Sequence, residues 1–262
     1  MNKLCRVTAG LLPLLLLASL QVFAQKPAET KSDPNIEQGA MEALKAMSEK
    51  LRGLKSFSIV ANSTQQIATD DGQRIDIDTE ATYAVKIPGH MMSTVNSVRK
   101  HRSFYYDGET LTVYIPREHY YAQAPMTGSI SSVIDKASEK FGIELPLSDL
   151  FHWGTERAPL SNIKGATVIG PALVDGSPCI QLAFRQEDVD WQLWISDDEQ
   201  LPRRMVIVDK TDPAFPQYSV DIKWDTTTPL TDGRFTFVPG PDDHRIKLDE
   251  EGNATAPKEA AK

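Results

Sequence analysis

The sequence predicts a mainly β, α+β fold. One large curved antiparallel sheet forms an unclosed β-barrel, with helices on its concave side. Three observations predict it. From Ile75 to Ile87 every odd position is apolar or weakly polar, while the even positions read Asp76, Asp78, Glu80, Thr82, Ala84 and Lys86. That period of two describes a strand with one buried face. At ~3.3 Å per residue it runs about 40 Å, which needs a large sheet curved over apolar material. Second, short turns join nearly all the apparent strands, which argues for antiparallel pairing and against a doubly wound α/β fold. Third, three short helical segments each carry an apolar face, which a closed barrel would leave without a surface to cover.

The elements follow in order. Asp33-Pro34 is a helix-start signal, with Pro at the first helical position. Ile36, Ala40, Met41, Leu44, Met47 and Leu51 then recur at helical spacing, and Gly53 is a C-cap candidate. Ser56 to Thr69 and Arg74 to Ile87 read as strands around the Asp71-Gly72 turn, and Pro88-Gly89 ends the second. Met91 to Val98, Ser103 to Tyr106, Thr110 to Ile115 and Tyr120 to Ala124 continue the meander, with Asp107-Gly108 as a hairpin turn. Ile130, Val133, Ile134, Ala137 and Phe141 return to helical spacing, which Gly142 ends. Pro146 opens a short third helix with Leu147, Leu150 and Phe151 on one side. Ala166 to Ile169, Ser177 to Gln186, Trp191 to Ser196, Arg203 to Lys210, Tyr218 to Trp224 and Phe235 to Val238 read as the remaining strands.

Lys3 and Arg6, the apolar run Leu11 to Leu20 and the small-residue site Val22-Phe23-Ala24 describe a secretory signal peptide over residues 1–24, too short for a membrane span. Residues 25–33 read as a flexible lead, 34–240 as a single half-barrel domain and 241–262 as a disordered acidic tail. The expected product is periplasmic and not an integral membrane protein. Cleavage would take two of the 28 basic residues and none of the 36 acidic ones, leaving a formal charge of −10. Such a chain is a poor partner for nucleic acid phosphates. Cys179 would be the one remaining cysteine, read as a core hydrophobe, so stability must rest on the core rather than a disulfide.

Motifs for catalysis or cofactors are absent. There is no Gly-x-Ser-x-Gly, His-Glu-x-x-His, Cys-x-x-Cys or phosphate-cradling glycine loop. None of His90, His101, His119, His152 and His244 stands three to five residues from another, so metal-ligand spacing is missing. Asp70-Asp71, Glu187-Asp188, Asp197-Asp198 and Asp242-Asp243 sit at turns, where Asp supplies turn geometry. The expectation is a non-enzyme without cofactor or metal.

One constellation rises above background. Tyr105, Tyr106, Tyr114, Tyr120 and Tyr121 crowd one meander, and Trp153, Trp191, Trp194 and Trp224 follow. Two readings stand: cross-strand aromatic packing, or the wall of an apolar ligand cavity. Trp191 and Trp194 differ by three, so a straight strand turns them to opposite faces.

The element order resembles the LolA/LolB-like superfamily, periplasmic lipoprotein carriers whose relatives include RseB-type stress regulators. Phe104-Tyr105-Tyr106-Asp107-Gly108-Glu109-Thr110-Leu111 through Tyr120-Tyr121-Ala122 is similar to an uncharacterised family of predicted periplasmic proteins within it. The Ile130 to Phe141 helix and Leu145-Pro146-Leu147-Ser148-Asp149-Leu150-Phe151 fit as well, and the resemblance spans residues 35 to 240. It implies an unclosed barrel whose helical lid covers a hydrophobic cavity, where acyl chains enter between sheet and lid. The arginine expected to hold the lid in carriers has no matching residue here, so no functional residue is transferred.

The expected function is therefore to bind or carry an apolar ligand, a lipid or lipoprotein acyl chain. The candidate cavity and lid residues are Met41, Leu44, Met47, Ile130, Val133, Ile134, Phe141, Leu147, Leu150 and Phe151. The same residues also fit an ordinary filled core. The alternative function is an RseB-type interaction or sensor module without a cavity, recognising another envelope protein.

Overall fold

A computed structural model of the chain describes residues 35–153, 155, 158, 160 and 162–248. The expected signal peptide and lead, the expected Asp33-Pro34 helix start and residues 249–262 lie outside the described residues. Helix α1 (Gln38–Gly53) precedes six strands: β1 (Ser56–Ala68), β2 (Arg74–Lys86), β3 (His90–Ser97), β4 (His101–Tyr106), β5 (Thr110–Ile115) and β6 (Tyr120–Pro125). Helix α2 (Ile130–Phe141) and a 3-10 helix (Ser148–Phe151) follow. Then come β7 (Gly165–Val174), β8 (Ser177–Arg185), β9 (Val189–Ser196), β10 (Pro202–Asp209), β11 (Gln217–Asp225), a 3-10 turn (Asp232–Phe235) and β12 (His244–Ile246).

All twelve strands form one sheet in the order β12-β6-β5-β4-β3-β2-β1-β11-β10-β9-β8-β7. Every pairing is antiparallel except that of β12 with β6. Since β12 and β7 each have a single neighbour, the curved sheet does not close. The order also explains the helices in mid-chain. β6 lies near one edge and β7 forms the other, so residues 126–164 must travel across the sheet. The described residues of this span do so over its inner face, carrying α2 and the 3-10 helix.

Register places the apolar set on that inner face. One row runs Ala122, Val113, Phe104, Ser93, Tyr83, Ile59, Trp224. Another runs Val220, Met205, Leu193, Leu182, Val168. The core divides in two. One cluster joins α2 to the β1–β5 region and β11, and the other joins α1 to β7, β8 and β9. Met205, half-buried, packs against both.

Local chemistry explains the helix ends. Ser129 caps α2 by accepting from the Ser132 N–H at 3.3 Å. Gly142 ends it at φ 58, its N–H reaching Ala137 and Ser138 carbonyls. The start of α1 departs from expectation. Ile36 is not helical but makes a parallel bridge to Ala166. Asn35 and Glu37 exchange backbone bonds with Ala166, and the Glu37 carboxylate accepts from the Val168 N–H at 3.0 Å. Groups on the open β7 edge thereby find partners, and this outweighs helical spacing.

The C-terminal segment is the larger correction. Phe235 to Val238 is not a strand, and residues 241–248 are not a loose tail. The segment crosses the outer face of β2 to β6. Phe235 is fully buried and meets the His90 ring at 5.6 Å. Phe237 inserts among Tyr105, Tyr114 and Tyr121 at 5.4, 4.9 and 5.0 Å between ring centroids. Asp232 pairs with Lys86. Asp243 gathers Tyr114 Oη at 2.9 Å, the Gly240 N–H at 2.7 Å and His119 Nδ1 at 3.3 Å. Tyr105, Tyr114 and Tyr121 therefore clamp the chain's own C-terminal segment, whereas Tyr106 is buried in the inner core.

The Gly240 N–H holds the Asp243 carboxyl below its usual range, and the Lys86 ammonium does the same for Asp232. Their native values are depressed, so their stabilisation is complete above the unfolded value of about 3.9 and is lost as pH falls through the folded values. Protection factors at 244–246, with the intrinsic pH dependence of exchange divided out, should fall on acidification from about pH 5 to about pH 2, and Asp243→Asn should flatten that dependence. Protection factors unchanged over this window would show that the carboxylates do not hold the segment.

Candidate ligand site beneath the helical crossover

The inner face of the sheet is covered by α1, by α2 and by the 3-10 helix. Helix α2 turns Ile130, Val133, Ile134, Ala137 and Phe141 inward, spaced by three and four. Leu147 adopts φ 59, a left-handed backbone, and is buried at the start of the 3-10 turn. Tyr83, 1% exposed, donates its hydroxyl to the Pro146 carbonyl and so ties this turn to the sheet. Burial pushes the Tyr83 phenol well above its ordinary pKa. His152 Nε2 meets Asp135 Oδ1 at 3.2 Å, joining the end of the 3-10 helix to α2.

The ten residues singled out from sequence fall into both clusters. Ile130, Val133, Ile134, Phe141 and Leu147 belong to the first, with Leu150 and Phe151 half-buried against it. Leu44 and Met47 belong to the second, with Met41 half-buried against it. The seam between them holds what space there is. A cleft of about 180 Å³ opens among Leu51, Leu54, Phe57, Ile87, Ile130, Leu150, Phe151 and Trp153. A further 20 Å³ lies deeper, where Met47, Leu147, Leu150 and Trp153 face Leu193, Met205 and Ile222. Leu150 and Trp153 line both. Met41, Leu44, Val133, Ile134 and Phe141 touch neither space.

Leu54, Phe57, Ile87 and Trp153 belong to this site but were not among the sequence candidates. Leu54 and Ile87 sit at element ends, where periodicity carries no signal. Trp153 was visible only as an aromatic. Its ring meets Trp191 edge-on at 5.7 Å, and Trp191 stacks on Phe184 at 4.1 Å. Two hydroxyls on the inner face, Ser93 Oγ and Tyr218 Oη, are buried without a hydrogen-bond partner among the described residues. Also among the described residues, no group of His, Cys, Asp and Glu could hold a metal, and no helix is long and apolar enough to cross a membrane.

The fold is thus an open antiparallel sheet with one face roofed by a helical crossover and an apolar seam beneath the roof. The chain belongs to the DUF2092 family of predicted periplasmic proteins, whose model matches residues 40–249. No curated protein matches it in sequence. Solved structures similar to it include MucB (14% identity over 79% of this chain and 64% of that chain, TM-score 0.43). The chain therefore spans less than two thirds of MucB. LprF from Mycobacterium bovis is similar at 15% identity, 75% and 98% coverage and a TM-score of 0.44. A LolA superfamily protein from Nitrosomonas europaea follows at 12%, 76% and 97%, with a TM-score of 0.34.

Proposed function

We propose that this protein binds the acyl portion of a lipid or lipoprotein in the periplasm, between the sheet and the helical crossover. The observation that carries this reading is the seam. A mouth of about 180 Å³ with mostly apolar walls shares Leu150 and Trp153 with a small inner space where residues of the two cores meet. Met47 and Met205 border the deeper space, and unbranched methionines repack readily. Ligand pockets usually enclose about 300–1,000 Å³, so the observed space admits the end of a chain and a full acyl group requires the roof to lift.

Native mass spectrometry of the exported chain, with organic extraction, tests this directly. An added mass that extracts as an acyl-bearing species supports it. A ligand-free mass, together with no uptake of the apolar dye N-phenyl-1-naphthylamine, overturns it. Leu150 should be decisive because it lines both mouth and interior while remaining half-exposed. Leu150→Glu should weaken dye uptake by at least about tenfold, with stability changed by only about 1 kcal/mol. Unchanged uptake would remove the seam from consideration.

A second reading, an interaction module of the RseB type, is favoured by β7. It is an edge strand with Ile169 and Leu173 exposed at 55% and 70%. Such an edge accepts an added strand from a partner. A ligand-free protein whose complex with an envelope protein is abolished by Leu173→Asp would select it.

A further inference from the structure

The outer face of the sheet bears a hollow used neither by the crossover nor by the C-terminal segment. It encloses about 650 Å³. Strand registers align Trp194, Arg204, Asp221, Asn62, Glu80 and Asn96 in one row across β9, β10, β11, β1, β2 and β3. At about 4.8 Å between strands the row is roughly 24 Å long. Trp194 is the outward member of the pair that spacing separates: Trp191 is buried in the core, while Trp194 is half-exposed.

The furnishing of this row differs from an ordinary solvated sheet face. No lysine lines the hollow. Apart from Glu80, the polar groups of the row sit on short stems or are already fixed. Arg204 forks onto Asp221, with Nη2 to Oδ2 at 2.9 Å, and lies 5.9 Å from the centre of the Trp194 ring. In the adjacent row Thr64 Oγ1 donates to Asp78 Oδ1 at 2.7 Å. Groups held in place beforehand lose little conformational entropy on binding. Asparagine amides both donate and accept and carboxylates accept, which matches hydroxyls that do both. The negative face of an indole suits the C–H face of a pyranose, and since Arg204 lies over one face of Trp194 a pyranose would take the other. Three carboxylates against one guanidinium repel polyanions.

We propose that this hollow binds a glycan chain that is uncharged or amino-bearing, laid across the strands with one pyranose on Trp194. The site is independent of the apolar seam on the opposite face.

The full exported chain should be titrated with three hexasaccharide probes: a glucosamine oligomer, an N-acetylglucosamine oligomer and a heparin fragment. Tryptophan fluorescence and amide chemical shifts are the readouts. At least one of the first two should bind with Kd below about 1 mM, and the heparin fragment should not. Trp194→Ala and Asn62→Ala should each weaken binding by about tenfold or more. Asn62 is solvent-facing, so its variant carries the test even if Trp194→Ala folds poorly. Leu150→Glu should leave glycan binding intact. The proposal is overturned if neither of the first two probes saturates by about 10 mM, if heparin binds equally, or if Asn62→Ala binds as the wild type does.

Discussion

Phe235→Ala is expected to destabilise the protein by about 3–5 kcal/mol, as large a loss as any single truncation in the helical core. Phe235 is 0% exposed although it lies on the outer face, in a stretch with no regular strand. Its ring packs against His90 at the start of β3, next to the Lys86–Asp232 pair at the end of β2. Truncation leaves a cavity between chain segments far apart in sequence, and such a site collapses poorly. Phe237→Ala should cost less, because Phe237 is half-buried and the tyrosines around it remain partly solvated. Denaturant unfolding gives the energies, and hydrogen exchange shows where protection is lost. In Phe235→Ala, fast exchange should spread from residues 232–238 to β12. A loss below about 1 kcal/mol, with β12 still protected, would mean that the segment is an ornament on a self-sufficient sheet.

That prediction marks where the sequence stops being legible. The first hairpin was readable to within a residue at each strand end, because Ile59 to Ser63 and Arg74 to Tyr83 alternate under a buried face and Asp71-Gly72 turns the chain. Helix α2 was readable in full, since helical spacing begins at Ile130 and Gly142 is a stop signal. Only four of the ten residues of β7, Ala166 to Ile169, read as strand, because a register shift between Val168 and Gly170 breaks its alternation. The C-terminal segment was misread because its two anchors, Phe235 and Phe237, are separated by one residue and mimic a strand. Its true partners are the outward tyrosines of β4, β5 and β6, and pairing across the sheet leaves no local pattern. The candidate site was half legible for the same reason. Amphipathic spacing finds residues that face inward, such as Val133 and Ile134, but cannot separate a packed residue from one beside a gap. The seam exists because α1 and α2 cover different ends of the sheet, and that follows from strand order rather than from either helix.

The crossover's closure rests on two polar latches, and releasing both should raise the rate of dye uptake by about a hundredfold. In the first, buried Tyr83 donates to the Pro146 carbonyl, fixing the turn that carries Leu147 and Leu150. In the second, His152 meets Asp135, fixing the far end of the 3-10 helix to α2. A hydrogen bond of either kind contributes about 0.5–1.5 kcal/mol, more where a charge is involved, and about 1.4 kcal/mol corresponds to a tenfold shift of an opening equilibrium. Tyr83→Phe keeps the ring against Phe151, 5.8 Å away, and removes only the donor. His152→Ala removes the other latch from a site that is 15% exposed. If the turn and the 3-10 helix lift as one body, both latches oppose the same motion and the single-variant effects on uptake multiply in the double variant. If only the turn moves, His152→Ala adds nothing to Tyr83→Phe. Stopped-flow dye binding separates these cases, and denaturation in parallel distinguishes opening from general weakening. A double variant that loses stability yet takes up dye no faster would show the roof to be ordinary core. The apolar-ligand reading would then fall with it, while the glycan row on the opposite face would stand or fall on its own titration.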